Sequence, residues 1–165
     1  MKKKALIILP SYSVGGAEKV LLSYFRYFKN SKIELKLLVI NSKSAKSNFL
    51  NKKKIELNFN KFIYSLPTIT KLLKKEKYHF IISTFPHISA LILLTKYIKL
   101  HNCKVIVRQP NIIETSLTGT FKLFLLKHIY KKLIKYADAV IVTSKHMLKE
   151  AKKNNILEKK NLFYF

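Results

Sequence analysis

LIILPSYSVGGAEKVLL, residues Leu6–Leu22, passes from an apolar run through a short Ser- and Gly-rich loop into an amphipathic segment. Ala5–Pro10 has no polar side chain, as suits a strand buried on both faces. Ser11–Gly16 is the loop. From there the apolar positions are Ala17, Val20, Leu21, Tyr24, Phe25 and Phe28, the 3-1-3-1-3 spacing of one helix face. Strand, glycine turn and helix in that order open a crossover unit, the building block of a parallel sheet.

The alternation continues outward from this stretch. Glu34–Asn41 predicts a second strand and Ile55–Phe59 a third, with the Lys-, Ser- and Asn-rich segment Ser42–Lys54 as a loop. Leu66–Lys77 predicts a basic amphipathic helix, with Pro67 tolerated in its first turn. His79–Phe85 predicts a fourth strand, Pro86–Leu100 its following helix, and Lys104–Gln109 a fifth strand. Thr120–Tyr136 predicts a helix with five lysines, Asp138–Thr143 a sixth strand, and Ser144–Asn154 a helix capped by Ser144. Asn161–Phe165 starts a seventh strand. The fold class is therefore α/β: a doubly wound, mostly parallel, Rossmann-like sheet of six or seven strands with helices on both faces. The chain has 165 residues, 48% of them hydrophobic, and neither a repeat nor a linker. One domain over residues 1–165 with a sizeable core is expected.

Thirty-three Lys plus Arg against 8 Asp plus Glu give a formal charge of +25, which favours anionic partners. Yet 31 of the 33 are lysines, leaving only Arg26 and Arg108. Nucleic-acid readers lean on Arg forks, so no nucleic acid is expected, and the lysine excess also fits a solvated surface. The single cysteine, Cys103, excludes an internal disulfide and a thiolate zinc cluster. No two of the five histidines stand three or four apart, and no metal is expected. Met1-Lys-Lys-Lys followed by a five-residue apolar run imitates a secretory signal. That run falls short of the roughly 7–15 residues such a core needs. Tyr78–Thr95 carries no Asp, Glu, Lys or Arg, but Pro86 and several polar residues divide it into a strand half and a helix half.

In doubly wound sheets ligands bind at the carboxyl ends of the strands. Pro10, Pro86 and Pro110 mark the ends of strands one, four and five, making Ser11–Glu18, Ser83–His87 and Arg108–Glu114 the candidate site loops. Gly15 and Gly16 let backbone amides approach a phosphate at a helix N-terminus, or simply form a tight turn. The patterns G-x-G-x-x-G and G-x-x-x-x-G-K-[ST] are both missing, which argues against a nicotinamide enzyme and a P-loop nucleotidase. Glu18 suits the helix dipole, as a cap or as a ligand contact. Arg108 follows a buried-type strand, where it holds a phosphate or carboxylate or else lies at the sheet surface. His87 is a contact residue or a structural one.

Three stretches beyond the N-terminal one complete a resemblance: FIISTFPHISAL (Phe80–Leu91), KVIVRQPN (Lys104–Asn111) and YADAVIVTSK (Tyr136–Lys145). With GGAEK (Gly15–Lys19), they resemble, in order and spacing, the N-terminal half of family-4 glycosyltransferases of the GT-B fold. The resemblance covers the whole chain. It implies the acceptor-binding half of an enzyme that moves a hexosyl group from a nucleotide sugar to a glycan or lipid-linked acceptor, as in polysaccharide biosynthesis. It further implies that the C-terminal nucleotide-sugar domain is absent and that this chain is inactive alone. Gly15 and Gly16 would contact the donor's phosphate or sugar, and Glu18, Thr84, His87, Arg108 and Asn111 the acceptor. Many relatives have a His where this chain reads Arg108-Gln-Pro-Asn111, so that role is not carried over. No cofactor is implied beyond the nucleotide sugar as co-substrate. The expected location is the cytoplasm, peripheral on the inner face of the cell membrane. Thr120–Tyr136 either packs its apolar side inward and turns its lysines to solvent, or lies on an anionic membrane surface. The alternatives in function are a charge-driven polyanion-binding module and an inactive truncated remnant.

Overall fold

The computed structural model of the chain describes residues 2–12, 15–27, 32–42, 53–111, 121–153 and 162–164. The expected loop Ser42–Lys54 lies mostly outside them, as do Phe28 and the part of the third site loop beyond Asn111. Seven strands are described: β1 (Lys3–Ser11), β2 (Ile33–Asn41), β3 (Lys54–Glu56), β4 (Phe80–Ser83), β5 (Lys104–Gln109), β6 (Ala139–Val142) and β7 (Leu162–Tyr164). They alternate with α1 (Gly16–Tyr27), α2 (Phe62–Glu76), α3 (Pro86–Tyr97), α4 (Phe121–Leu133) and α5 (Lys145–Lys153). A 3-10 turn, Ile134–Tyr136, follows α4. The fold is α/β and Rossmann-like. Among the described residues no helix is long and apolar enough to cross a membrane.

The chain divides into two compact units. The first holds Met1–Ile82 with His101–Cys103. Its strand order is β3-β2-β1-β4, and all three pairings are parallel. Leu9 pairs with Val39, Ser11 with Asn41, and Ile7 with Ile82. The chain thus leaves β1 with β2 on one side and β4 on the other, the strand-order reversal at which such sheets bind ligands. Ala5, Ile7, Leu9, Leu35, Leu37 and Val39 share one face with Leu21 and Phe25 of α1. The alternate residues Leu6, Ile8, Leu38 and Ile40 are equally buried, so both faces are covered. The second unit holds Ser83–Leu100 and Lys104–Phe165, with β5, β6 and β7 parallel in that order.

Asp138, in the segment matching the last resemblance stretch, has an architectural task. Its carboxylate accepts the Val105 amide at 2.6 Å and pairs with Lys96, while its own amide donates to the Val105 carbonyl at 2.9 Å. One residue thus ties the start of β5, the start of β6 and the end of α3.

Several boundaries differ from the sequence reading. Helix α2 begins at Phe62 rather than Leu66, which puts Pro67 inside the helix instead of its first turn. The start is held by burial of Phe62, Ser65, Ile69 and Leu73 along one face, and its N-cap, Lys61, offers no capping side chain. β1 continues through Pro10 to Ser11, and β4 stops at Ser83. β3 is shorter than Ile55–Phe59, although the amides of Leu57 and Phe59 still donate to β2 carbonyls at 2.8 and 3.0 Å. Ser144 does cap α5, accepting the Met147 amide at 3.2 Å.

Candidate functional site

In the first unit, α1 follows β1, with Gly15 and Gly16 at its start. The Gly15 carbonyl accepts the Lys19 amide at 3.0 Å, which makes Gly15 the N-cap and Glu18 the third helical residue. Glu18 is buried, and its carboxylate folds back over Gly15. A Cβ on Gly15 would collide with Glu18 Oε2 and lie 3.1 Å from Cδ. A side chain at Gly15 would therefore have to move the Glu18 carboxylate aside. Both glycines are exposed, but Gly16 differs in that a Cβ there would meet nothing within 4 Å. The helix N-terminus therefore presents open backbone at Gly16 beside a fixed carboxylate at Gly15. Amides there favour an anion, and Glu18 offers an acceptor for a hydroxyl.

Tyr12, just after β1, is buried, and its hydroxyl donates to Glu56 Oε1 at the end of β3. Lys54 Nζ lies 3.5 Å from the same oxygen and 5.6 Å from the Tyr12 ring centre. The Tyr12 hydroxyl, seconded by Lys54, holds the Glu56 carboxyl below its ordinary range. Nothing in the spacing marks Tyr12 and Glu56 as partners, because they stand 44 residues apart.

In the second unit, the loops after β4 and β5 carry the remaining candidates. Ser83 and Thr84 are buried. The Ser83 and Ser89 hydroxyls meet at 2.8 Å, fixing the start of α3 against the end of β4. Arg108 is 8% exposed, which removes the reading of it as a surface residue. Its Nη1 donates to Thr84 Oγ1 at 3.3 Å. Among the described residues Arg108 makes no ion pair and faces this neutral hydroxyl. A buried guanidinium facing a hydroxyl keeps donors in reserve for a phosphate or carboxylate.

Gln109 escaped the sequence reading. It is also buried, its Nε2 donates to the Asn111 carbonyl at 3.1 Å, and its Oε1 has no partner among the described residues. A polar residue closing an apolar strand beside Arg108 was the available signal. Thr143 Oγ1 donates to the Pro110 carbonyl at 3.2 Å, holding the same loop from β6. Asn111 is exposed. His87, in the first turn of α3, is exposed too, with its ring 5.9 Å from that of Phe85. Partial burial pulls its pKa below the ordinary histidine value. The structure thus joins Thr84 to Arg108 in the second unit, with His87 and Asn111 on adjoining turns. Gly15, Gly16 and Glu18 form a separate cluster in the first unit. Among the described residues no three of His, Cys, Asp and Glu stand close enough to hold a metal.

No protein-family profile matches this chain, and no curated protein matches its sequence. Solved structures do match. The apo lipopolysaccharide outer core galactosyltransferase WaaB superposes with a TM-score of 0.69 and 18% identity, over 97% of this chain and 44% of that one. The fold is half of a GT-B architecture. UDP-N-acetylglucosamine 2-epimerase from Rickettsia bellii matches at 0.66 and 13% identity, over 99% and 44% of the two chains. The apo UGT2 of Phytolacca americana matches at 0.63 and 8% identity, over 99% and 51%. This chain spans about half the length of the structures it matches.

Proposed function

We propose that this chain is the acceptor-binding half of a glycosyltransferase that moves a hexosyl group from a nucleotide sugar to a glycan or lipid-linked acceptor. The observation that carries the reading is the fold, half of a GT-B architecture with the GGAEK turn at the mouth of its first strand. In this reading the Gly16 side of the α1 N-terminus meets the donor's sugar, with Gly15 as the N-cap. Glu18 accepts a hydrogen bond from a sugar hydroxyl, since its charge beside Gly15 would repel a phosphate. Arg108, braced by Thr84, binds a phosphate or carboxylate on the acceptor. His87, largely neutral at pH 7, and Asn111 meet acceptor hydroxyls. The reading invokes no metal and no prosthetic group. Transfer needs the donor, its leaving diphosphate and the acceptor oriented together. This half supplies one side of that arrangement, so the 165-residue chain alone is expected to be without transfer activity.

Calorimetric titration with phosphorylated and lipid-linked sugar acceptors, and separately with nucleotide sugars, tests the assignment. Acceptor binding that is lost in Arg108→Met supports it. Nucleotide-sugar binding without acceptor binding, or no binding of either, refutes it. Turnover by this chain alone refutes the expected inactivity, and its product separates transfer from the epimerisation named for the Rickettsia neighbour.

A further inference from the structure

Helix α4 is apolar on the side that faces out as well as on the side that faces in. Tyr130 and Leu133 are buried, and they define its inner face. Phe121, Phe124, Leu125 and Ile129 are exposed by 79%, 57%, 50% and 42%. Their spacing of three, one and four gathers them into one outward stripe. His128 lies in the same stripe, its ring 4.4 Å from that of Phe124. Lys122 and Lys132 are exposed on the same helix, and Phe121–Tyr136 contains five lysines and no Asp or Glu. The sequence left open whether this helix turns its lysines alone to water. It turns two phenylalanines, a leucine and an isoleucine out with them. A contiguous apolar stripe edged by one sign of charge marks a docking surface.

We propose that this stripe seats α4 in the plane of an anionic lipid surface, with the apolar residues entering the acyl boundary and the lysines at the headgroups. Charge selects this occupant. A second copy would bring the same lysines and another +25 formal charge against the first. Stacked bases would use the phenylalanines but leave Leu125 and Ile129 without a role, whereas hydrocarbon takes all four. The helix has 13 residues, about 20 Å of length, which suits lying in an interface rather than crossing one. This docking is independent of whether the chain takes part in sugar transfer.

Co-sedimentation of the 165-residue chain with vesicles tests it. One set is phosphatidylcholine alone, and the other contains about a third phosphatidylglycerol. The chain should partition strongly onto the anionic set and weakly onto the neutral one. Lys122→Gln with Lys132→Gln should weaken anionic binding roughly thirtyfold, about fivefold per lysine. Phe121→Ser with Phe124→Ser should weaken binding to both sets by roughly tenfold or more. These four side chains are solvent-exposed, so thermal unfolding of both variants should match that of the parent and exclude misfolding as the cause. Equal weak binding to the two vesicle sets overturns the proposal. So does undiminished binding by the phenylalanine variant, or retention by an oligonucleotide column with no vesicle binding.

Discussion

Replacing Gly15 by alanine should destabilise the chain, while the same change at Gly16 should not. Both substitutions restrict the unfolded chain, which by itself stabilises by about 0.4–1 kcal/mol. At Gly16 the new methyl meets open space, and that gain should survive. At Gly15 the methyl must displace the Glu18 carboxylate from its place over the N-cap. Losing a capping arrangement costs about 0.5–2 kcal/mol, and the charge–dipole contact adds about 0.3–1. The two variants should therefore differ by about 1–2 kcal/mol in urea unfolding, with Gly15→Ala the weaker. The decisive comparison is a double-mutant cycle with Glu18→Ala. If the carboxylate is the obstacle, removing it should relieve about 1 kcal/mol of the Gly15→Ala cost. Additivity of Gly15→Ala and Glu18→Ala within about 0.3 kcal/mol would refute the reasoning, as would equal stability of the two glycine variants.

Arg108→Met should leave urea stability within about 1 kcal/mol of the parent or raise it, because an apolar side chain of similar size replaces a buried charge. A loss above about 3 kcal/mol would instead make Arg108 a structural residue. Asp138→Ala should cost about 2–3 kcal/mol, since the Val105 amide loses a charged acceptor and Lys96 its partner. Asp138→Asn, whose amide oxygen still accepts from Val105, should cost about half as much; equal losses in denaturant titration would contradict this. Acid should destabilise the fold through Glu56 and Glu76, whose carboxyls are held below the ordinary 4.5 by the Tyr12 hydroxyl and the Lys36 ammonium respectively. The unfolded chain binds their protons first, so this stabilisation is complete above about pH 4.5 and is lost as pH falls through the lowered values. Tyr12→Phe should flatten that part of the urea midpoint–pH profile, and an unchanged slope between pH 5 and 3 would exclude the Tyr12–Glu56 bond as a source.

Local pattern was enough for some of this protein. Both faces of β1 had to be buried because Ala5–Leu9 is apolar at every position, and α1 had to present Leu21 and Phe25 because its period is helical. The glycines at the start of α1, and Ser144 at the start of α5, follow from backbone chemistry within a few residues. Helix α2 shows where such signals end: its first turn is held by burial of Phe62 and Ser65, and no capping residue announces it.

What the tertiary structure decided lies between residues distant in sequence, or on segments whose pattern was degenerate. Arg108 is buried against Thr84, 24 residues earlier, because β5 carries its side chain to the loop that leaves β4. Tyr12 finds Glu56 because β1 and β3 both flank β2. In α4 apolar residues cover most of the circumference, so periodicity alone did not choose an inner side. Packing that buries Tyr130 and Leu133 chose it, and thereby left Phe121, Phe124, Leu125 and Ile129 facing out. Periodicity fixes what a segment becomes; which of its side chains is left without a partner depends on neighbours that only the folded chain brings near.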